Sequence, residues 1–437
     1  MRTLIEHAWI LTMDEEMREF YDGQIVIEDE RIVYVGEAKQ QEHIDEIINA
    51  KNQFVLPGMI NTHSHVAMIP FRSLGDDCKD RLRRFLFPLE NACVNEKLVY
   101  SASCYGIAEM LCSGITTFAD MYYFMDEVAK ACEFLGIRAV LGETIIDQET
   151  CDAKNAKEAL NLAENFMKEW YEHPLITPMI APHATNTNCK ENFIEALRLA
   201  RKYKTLMMTH VAEMDYEMRY FQETYQMTPI QWLASIDCLD EHVLAVHCIH
   251  IDEGDIALLK KHNAKVSHCP VSNVKAGKGI APIKSLVEHN VPVGFGSDGP
   301  SSGNTLDLFT QMRMFACLQK TKYHDRSLFP AKEIVRLATI EGARVLGMQE
   351  EIGSLEVGKK ADIIFVSLDA IHMFPVHDPY SVLVYSANAN DVSNVFVNGK
   401  HIVKNKQLHK DILEVKHRLQ EQMKEFNEKA MELIKQS

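Results

Sequence analysis

Leu56-Pro57-Gly58-Met59-Ile60-Asn61-Thr62-His63-Ser64-His65 is an apolar run that closes on a His-x-His pair. Alternate residues of a strand point to one face, so His63 and His65 can reach a single metal ion together. At the end of a buried strand, two neutral imidazoles suit zinc or another borderline divalent metal. The chain holds 19 histidines, so the pair decides little until further ligands are found downstream.

Working outward, the run at 55–65 is the first of eight. The others are 114–121, 138–146, 176–183, 206–213, 243–251, 264–270 and 291–298. Between them lie stretches such as 157–170 and 190–203, whose apolar residues recur at helical spacing. Eight buried strands alternating with helices predict a (β/α)₈ TIM barrel over residues 55–345. The flanks have another texture. Residues 1–54 carry short strands at 3–11, 23–28 and 31–36, with no helix-length periodic segment. Residues 346–437 return to strands, including a hairpin about Asn398-Gly399. Packing the two flanks together gives a small β-sandwich domain built from both chain termini. A charged amphipathic helix over about 409–436 (Ile412, Val415, Leu419, Met423, Phe426) is expected to lie on the surface.

In such a barrel the chemistry gathers at the C-terminal ends of the strands. Here strand 1 ends in His63 and His65, and strand 4 in His183. Strand 5 ends in His210 and Glu213, strand 6 in His247 and His250, strand 8 in Asp298. His63, His65, His210 and Asp298 form a set of three imidazoles and one carboxylate with room for water, which a divalent cation can ionise near neutral pH. The second oxygen of Asp298 is placed to accept that water's proton. A second metal would need a bridging group, often a strand 4 lysine carrying a carboxylate, and strand 4 (176–183) has none. One metal per chain is expected. Glu213 is the candidate proton shuttle to a substrate ring nitrogen. His247 is the candidate to polarise a developing oxyanion or steady the water. His250 and His268 are expected to be structural.

Composition bounds the partners. Hydrophobic residues make up 46% and charged residues 25% of 437, as in ordinary globular proteins. Lys and Arg total 46 against 62 Asp and Glu, a formal charge of -16. This argues against nucleic acid and anionic membranes. Met1-Arg2-Thr3-Leu4-Ile5-Glu6-His7 has no apolar signal core, and no uncharged apolar stretch approaches membrane-spanning length. The 11 cysteines are odd in number and include no Cys-x-x-Cys pair. A reduced, cytoplasmic protein with a small-molecule substrate is expected, with assembly into a homo-oligomer left open.

The strand-end residues resemble the amidohydrolase superfamily, in its cytosine deaminase-like and triazine hydrolase-like branch. The matching pieces are Pro57 to His65, Thr209-His210-Val211-Ala212-Glu213, Ala245-Val246-His247-Cys248, Gly296-Ser297-Asp298-Gly299 and the stretch from Gly353 to Asp362. The resemblance implies one zinc per chain, occasionally iron, on His63, His65, His210 and Asp298, with Glu213 and His247 in proton transfer. Within the branch the chain looks most like the 5′-methylthioadenosine/S-adenosylhomocysteine deaminases. Phe87-Pro88-Leu89-Glu90 matches their Pro-x-Glu, whose glutamate holds ribose hydroxyls, and Ala181-Pro182-His183 their purine-contacting histidine. Asn273 and the loop at 275–282 fit as well. Where that family places an arginine for the homocysteine carboxylate, the chain has Leu141-Gly142-Glu143-Thr144. Glu143 is expected to repel a carboxylate at the 5′ end. The implied activity is hydrolytic deamination of a 6-aminopurine nucleoside with an uncharged 5′ group, such as adenosine, 5′-deoxyadenosine or 5′-methylthioadenosine. The alternative is deamination of a free base, pterin or other aminated heterocycle, or triazine dechlorination.

Overall fold

The structure is a computed structural model and describes residues 1–435. The chain opens with β1 (Arg2–Leu11), β2 (Glu19–Glu28), β3 (Arg31–Glu37), β4 (Glu46–Asn49) and β5 (Gln53–Pro57). Eight parallel strands follow, interleaved with helices. They are β6 (Met59–Ser64), β7 (Ile115–Tyr122), β8 (Arg138–Ile145), β9 (Ile176–Pro182), β10 (Met207–Val211), β11 (Val243–His247), β12 (Lys265–His268) and β13 (Val293–Phe295). They pair in sequential order. Every residue of β6, β7, β8, β10 and β11 is buried. Helices outside and side chains inside cover both faces, which is why these strands are continuous apolar runs rather than alternating ones.

The expected barrel forms, and its seam is closed by residues of the site. The Asp298 N–H donates to the His63 carbonyl at 3.1 Å, and the Ser297 N–H to Asn61 Oδ1 at 2.9 Å. Gly296 makes that approach feasible. A Cβ there would lie 2.7 Å from Cys269 Sγ and 2.9 Å from His63 Cβ.

β14 (Ile363–Ser367), β15 (Val392–Val397), β16 (Lys400–Lys404) and β17 (Gln407–Leu408) join the N-terminal strands in a nine-stranded sheet, as expected from the two flanks. Its order is β17-β16-β15-β14-β5-β1-β2-β3, with β4 beside β1. It closes over Ile5, Ile10, Ile25, Ile27, Val55, Ile363, Phe365 and Phe396. Arg138 at the start of β8 ties the barrel to this sheet, donating to both Asp362 oxygens at 3.0 and 3.2 Å.

The run at 55–65 is two strands, not one. β5 pairs with β1 and β14 in the terminal sheet, whereas β6 pairs with β7 in the barrel. The break falls at Gly58, where a Cβ would sit 2.0 Å from Thr116 Oγ1. Both halves are buried, so the apolar pattern carries no mark of the change.

The C-terminal helix spans Leu413–Lys435 and buries Val415, Leu419, Phe426 and Ala430; Gln436, within the expected helix, lies outside the described residues. It packs on the helix Glu96–Cys112. The Phe426 ring meets Phe71 edge-on at 4.8 Å, in the turn Val66–Phe71 that directly follows His65. Among the described residues no helix is long and apolar enough to cross a membrane.

Candidate active site

All the expected metal-binding and proton-transfer residues converge at one end of the barrel. His63 lies within β6 and His65 directly follows it. His210 lies within β10 and His247 ends β11, while Asp298 stands three residues beyond β13. The His63 and His210 Nε2 atoms are 3.2 Å apart. Asp298 Oδ1 lies 3.4 Å from His65 Nε2 and 3.8 Å from His63 Nε2.

Backbone carbonyls fix which nitrogen of each ring is free. His65 Nδ1 donates to the Met121 carbonyl and His210 Nδ1 to the His183 carbonyl, both at 2.6 Å. A carbonyl only accepts, so the protons sit on Nδ1 and the Nε2 lone pairs face the cluster. Burial, then the neighbouring imidazoles, holds His63 and His210 well below the usual histidine range. Bare lone pairs gathered this closely repel one another, and a cation between them removes the conflict. This donor set of nitrogen and oxygen fits a divalent metal. Burial would raise the Asp298 acid, but His65, His247 and His63 hold it well below the carboxylate range. Its Oδ1 also accepts from the Gly299 N–H at 2.7 Å.

His247 belongs to the same cluster. One of its ring nitrogens lies within 4.8 Å of ring nitrogens of His63 and His210, and its Nε2 lies 3.4 Å from Glu213 Oε1. Its Nδ1 donates to Asn273 Oδ1 at 2.8 Å, which orients the ring. Asp298 (φ 59°), His247 (φ 73°) and Ala212 (φ 50°) occupy the left-handed region. Such backbone costs about 1–3 kcal/mol per residue and persists where the surroundings enforce it.

Glu213 is held from both sides. Lys278 Nζ donates to its Oε1 at 2.5 Å. Behind it, Glu217 accepts from the N–H groups of Ala212 and Glu213, each at 2.9 Å, and fixes the turn after β10. Burial would raise the Glu213 acid, yet His247 and then Lys278 reverse this and hold it well below the carboxylate range. Sequence reasoning missed Lys278 and Glu217. The loop at 275–282 was a signal for the first; the second, a glutamate in the first turn of a helix, gave none.

Glu90 and His183 lie close by. Glu90 is buried in the helix Phe87–Cys93 and accepts from the Tyr122 hydroxyl at 3.1 Å. Burial pushes its acid up to about 8, with the Tyr122 bond opposing. The His183 ring packs 4.9 Å from His210 and 6.4 Å from Phe87, the residue that opens the Glu90 helix. Tyr122, also missed, ends β7 one residue after the carbonyl that orients His65.

Glu143 departs from expectation. It is buried, and its Oε2 accepts the Met125 N–H at 3.0 Å, capping the helix Met125–Leu135. Burial, and next the Asp152 carboxyl, push its acid well above the usual range. Its carboxyl is thus engaged with the backbone of that helix rather than standing open at a pocket wall. In Arg81-Leu82-Arg83-Arg84, ahead of the Glu90 helix, Arg81 donates to the carbonyls of Leu74, Ser301 and Phe71. His268 is buried against Phe315.

Comparison with known proteins agrees with this geometry. The Amidohydrolase family profile matches residues 54–402. A 5-methylthioadenosine/S-adenosylhomocysteine deaminase of Syntrophus aciditrophicus is 38% identical over 411 residues, covering 93% of each chain. A 5′-deoxyadenosine deaminase of Methanosarcina acetivorans is 38% identical over 407 residues, 92% of this chain and 93% of that one. The crystal structure of an adenosine deaminase from Xanthomonas campestris with bound zinc superposes with a TM-score of 0.94 at 29% identity, covering 97% and 98% of the two chains. The cluster of imidazoles and a carboxylate at the barrel mouth, and a profile match over most of the chain, agree: this chain belongs to the amidohydrolase family.

Proposed function

We propose that the chain is a zinc-dependent deaminase of 6-aminopurine nucleosides, releasing ammonia and the inosine analogue. The observation that carries this is Glu213, held ionised between His247 and Lys278 beside the imidazole and carboxylate cluster. It is a carboxylate positioned to move a proton next to a metal centre. The three relatives, each named for an adenine nucleoside, support the substrate class. His63, His65, His210 and Asp298 would hold one zinc, which supplies Lewis acidity and a water of lowered pKa. Glu213, ionised at rest, takes one proton from the attacking water and passes it to N1 as the bond to C6 forms; Asp298 takes the other and returns it to the amine, which leaves as ammonia, and His247 steadies the oxygen on which charge develops. Glu90 accepts from the ribose hydroxyls and His183 contacts the purine. With no cation at position 143, an uncharged 5′ group is favoured. All 11 cysteines are free thiols, which supports a reducing, cytoplasmic setting.

The test is ammonia release from adenosine, 2′-deoxyadenosine, 5′-deoxyadenosine, 5′-methylthioadenosine, S-adenosylhomocysteine, adenine and a pterin. The nucleosides with uncharged 5′ groups should show the highest kcat/KM. Loss of the 2′-hydroxyl should lower it about tenfold, the worth of one buried hydrogen bond to Glu90. A panel led by adenine or the pterin would overturn the proposal.

A further inference from the structure

Among the described residues, Lys278 is the one lysine or arginine in direct contact with Glu213, and the chain is built to put it there. Gly277 and Gly279 on either side take φ of +66° and +132°. A Cβ on Gly279 would press within 2.9 Å of Ile249 Cγ2. The Lys278 N–H donates to the Asn273 carbonyl at 2.9 Å, and the Asn273 side chain orients His247. One residue thus anchors both groups that flank Glu213.

The ammonium is largely buried, its side chain 15% exposed, and Glu213 Oε1 is its acceptor. An ammonium carries three donors, and buried donors without acceptors are costly. The remaining hydrogens are available to whatever enters the pocket.

The proposed function fixes what enters. A ring nitrogen that takes a proton from Glu213 sits about 2.8 Å from its carboxylate. Lys278 Nζ sits 2.5 Å from the same group. The two are neighbours around one carboxylate, so a substituent on the atom next to that nitrogen comes within reach of Nζ. One flank of N1 is C6, which carries the leaving amine and faces the metal ligands. The other is C2.

We infer that Lys278 is a specificity residue that reads the C2 position of the substrate. An oxygen at C2 accepts from the ammonium, a hydrogen is tolerated, and an amino group, itself a donor, is rejected. The substrate class then widens from 6-aminopurine nucleosides to those that also carry a 2-oxo group, and excludes 2,6-diaminopurine nucleosides.

This inference rests on the nucleoside reading, and the experiment separates the two. kcat/KM is measured for adenosine, its 2-oxo analogue and its 2-amino analogue on wild type, Lys278→Met and Lys278→Arg. A ratio within one preparation cancels any inactive fraction. In wild type the 2-oxo to 2-amino ratio should be about tenfold or more, the effect of one charge-assisted hydrogen bond. It should fall towards one in Lys278→Met and keep its direction in Lys278→Arg. Should Lys278→Met not turn over, the same ratio is read from the dissociation constants of the two nucleosides. A wild-type ratio of one or less, or a ratio unchanged in Lys278→Met, overturns the role of Lys278 while adenosine activity stands. Absence of adenosine activity overturns the nucleoside reading instead.

Discussion

Glu213 and Glu90 are both buried carboxyls, and their surroundings send them in opposite directions. Glu213 faces His247 and Lys278 and is held ionised. Replacing it with Gln keeps the shape and removes the proton carrier. Metal content by elemental analysis should be unchanged while kcat falls about 10²-fold or more. Glu90 has only the Tyr122 hydroxyl, and burial lifts its acid to about 8. Its folded-state pKa lies above the unfolded one, so the folded chain binds one more proton between roughly pH 4.5 and 8. Stability therefore falls as pH rises through that window. Glu90→Gln, neutral throughout, should gain thermal stability relative to wild type at pH 8 compared with pH 5, read as the difference in Tm. The metal-ligand candidates were legible because each ends an apolar run. Lys278 and Tyr122 were not, since their partners lie 65 and 32 residues away. The surroundings of Glu143 were not legible either, since a sequence shows a carboxylate but not its burial or the Asp152 neighbour, which together push its acid up.

At the scale of elements, the seam between β13 and β6 couples packing to ligand placement. The atoms that a Cβ on Gly296 would strike include His63 Cβ at 2.9 Å. Gly296→Ala should cost about 1–3 kcal/mol as an overpacked core position. Since one displaced side chain is a ligand candidate, metal content should fall together with Tm. A Tm loss with full metal occupancy would mean that Cys269 and Ser267 absorb the strain. The division into eight runs was legible because buried parallel strands are apolar along their whole length. The change of sheet at Gly58 was not, because β5 and β6 are equally buried on its two sides.

Across the whole molecule, the terminal sheet is joined to the barrel at the start of β8, away from the strand ends that carry the site. Arg138 and Asp362 are both buried in that joint, where removing one member of an ion pair costs about 3–5 kcal/mol. Asp362→Ala should lose stability of that order in denaturant titration and keep kcat/KM per folded molecule. A fall in kcat/KM would show that the sheet supports the site as well as the fold. That the two flanks meet in one sheet was legible from strand-like texture at both ends; the pairing of β5 with β14 was not, because it joins residues some 300 positions apart. The left-handed backbone of His247 and Asp298 bears on how the protein would respond to engineering. Glycine is at ease in that conformation and the native residues are not. Replacing either with glycine relieves strain and, at Asp298, removes a buried charge. A library selected only for heat resistance would drift towards substitutions that silence the enzyme, so these two codons are the ones to hold constant when the scaffold is hardened.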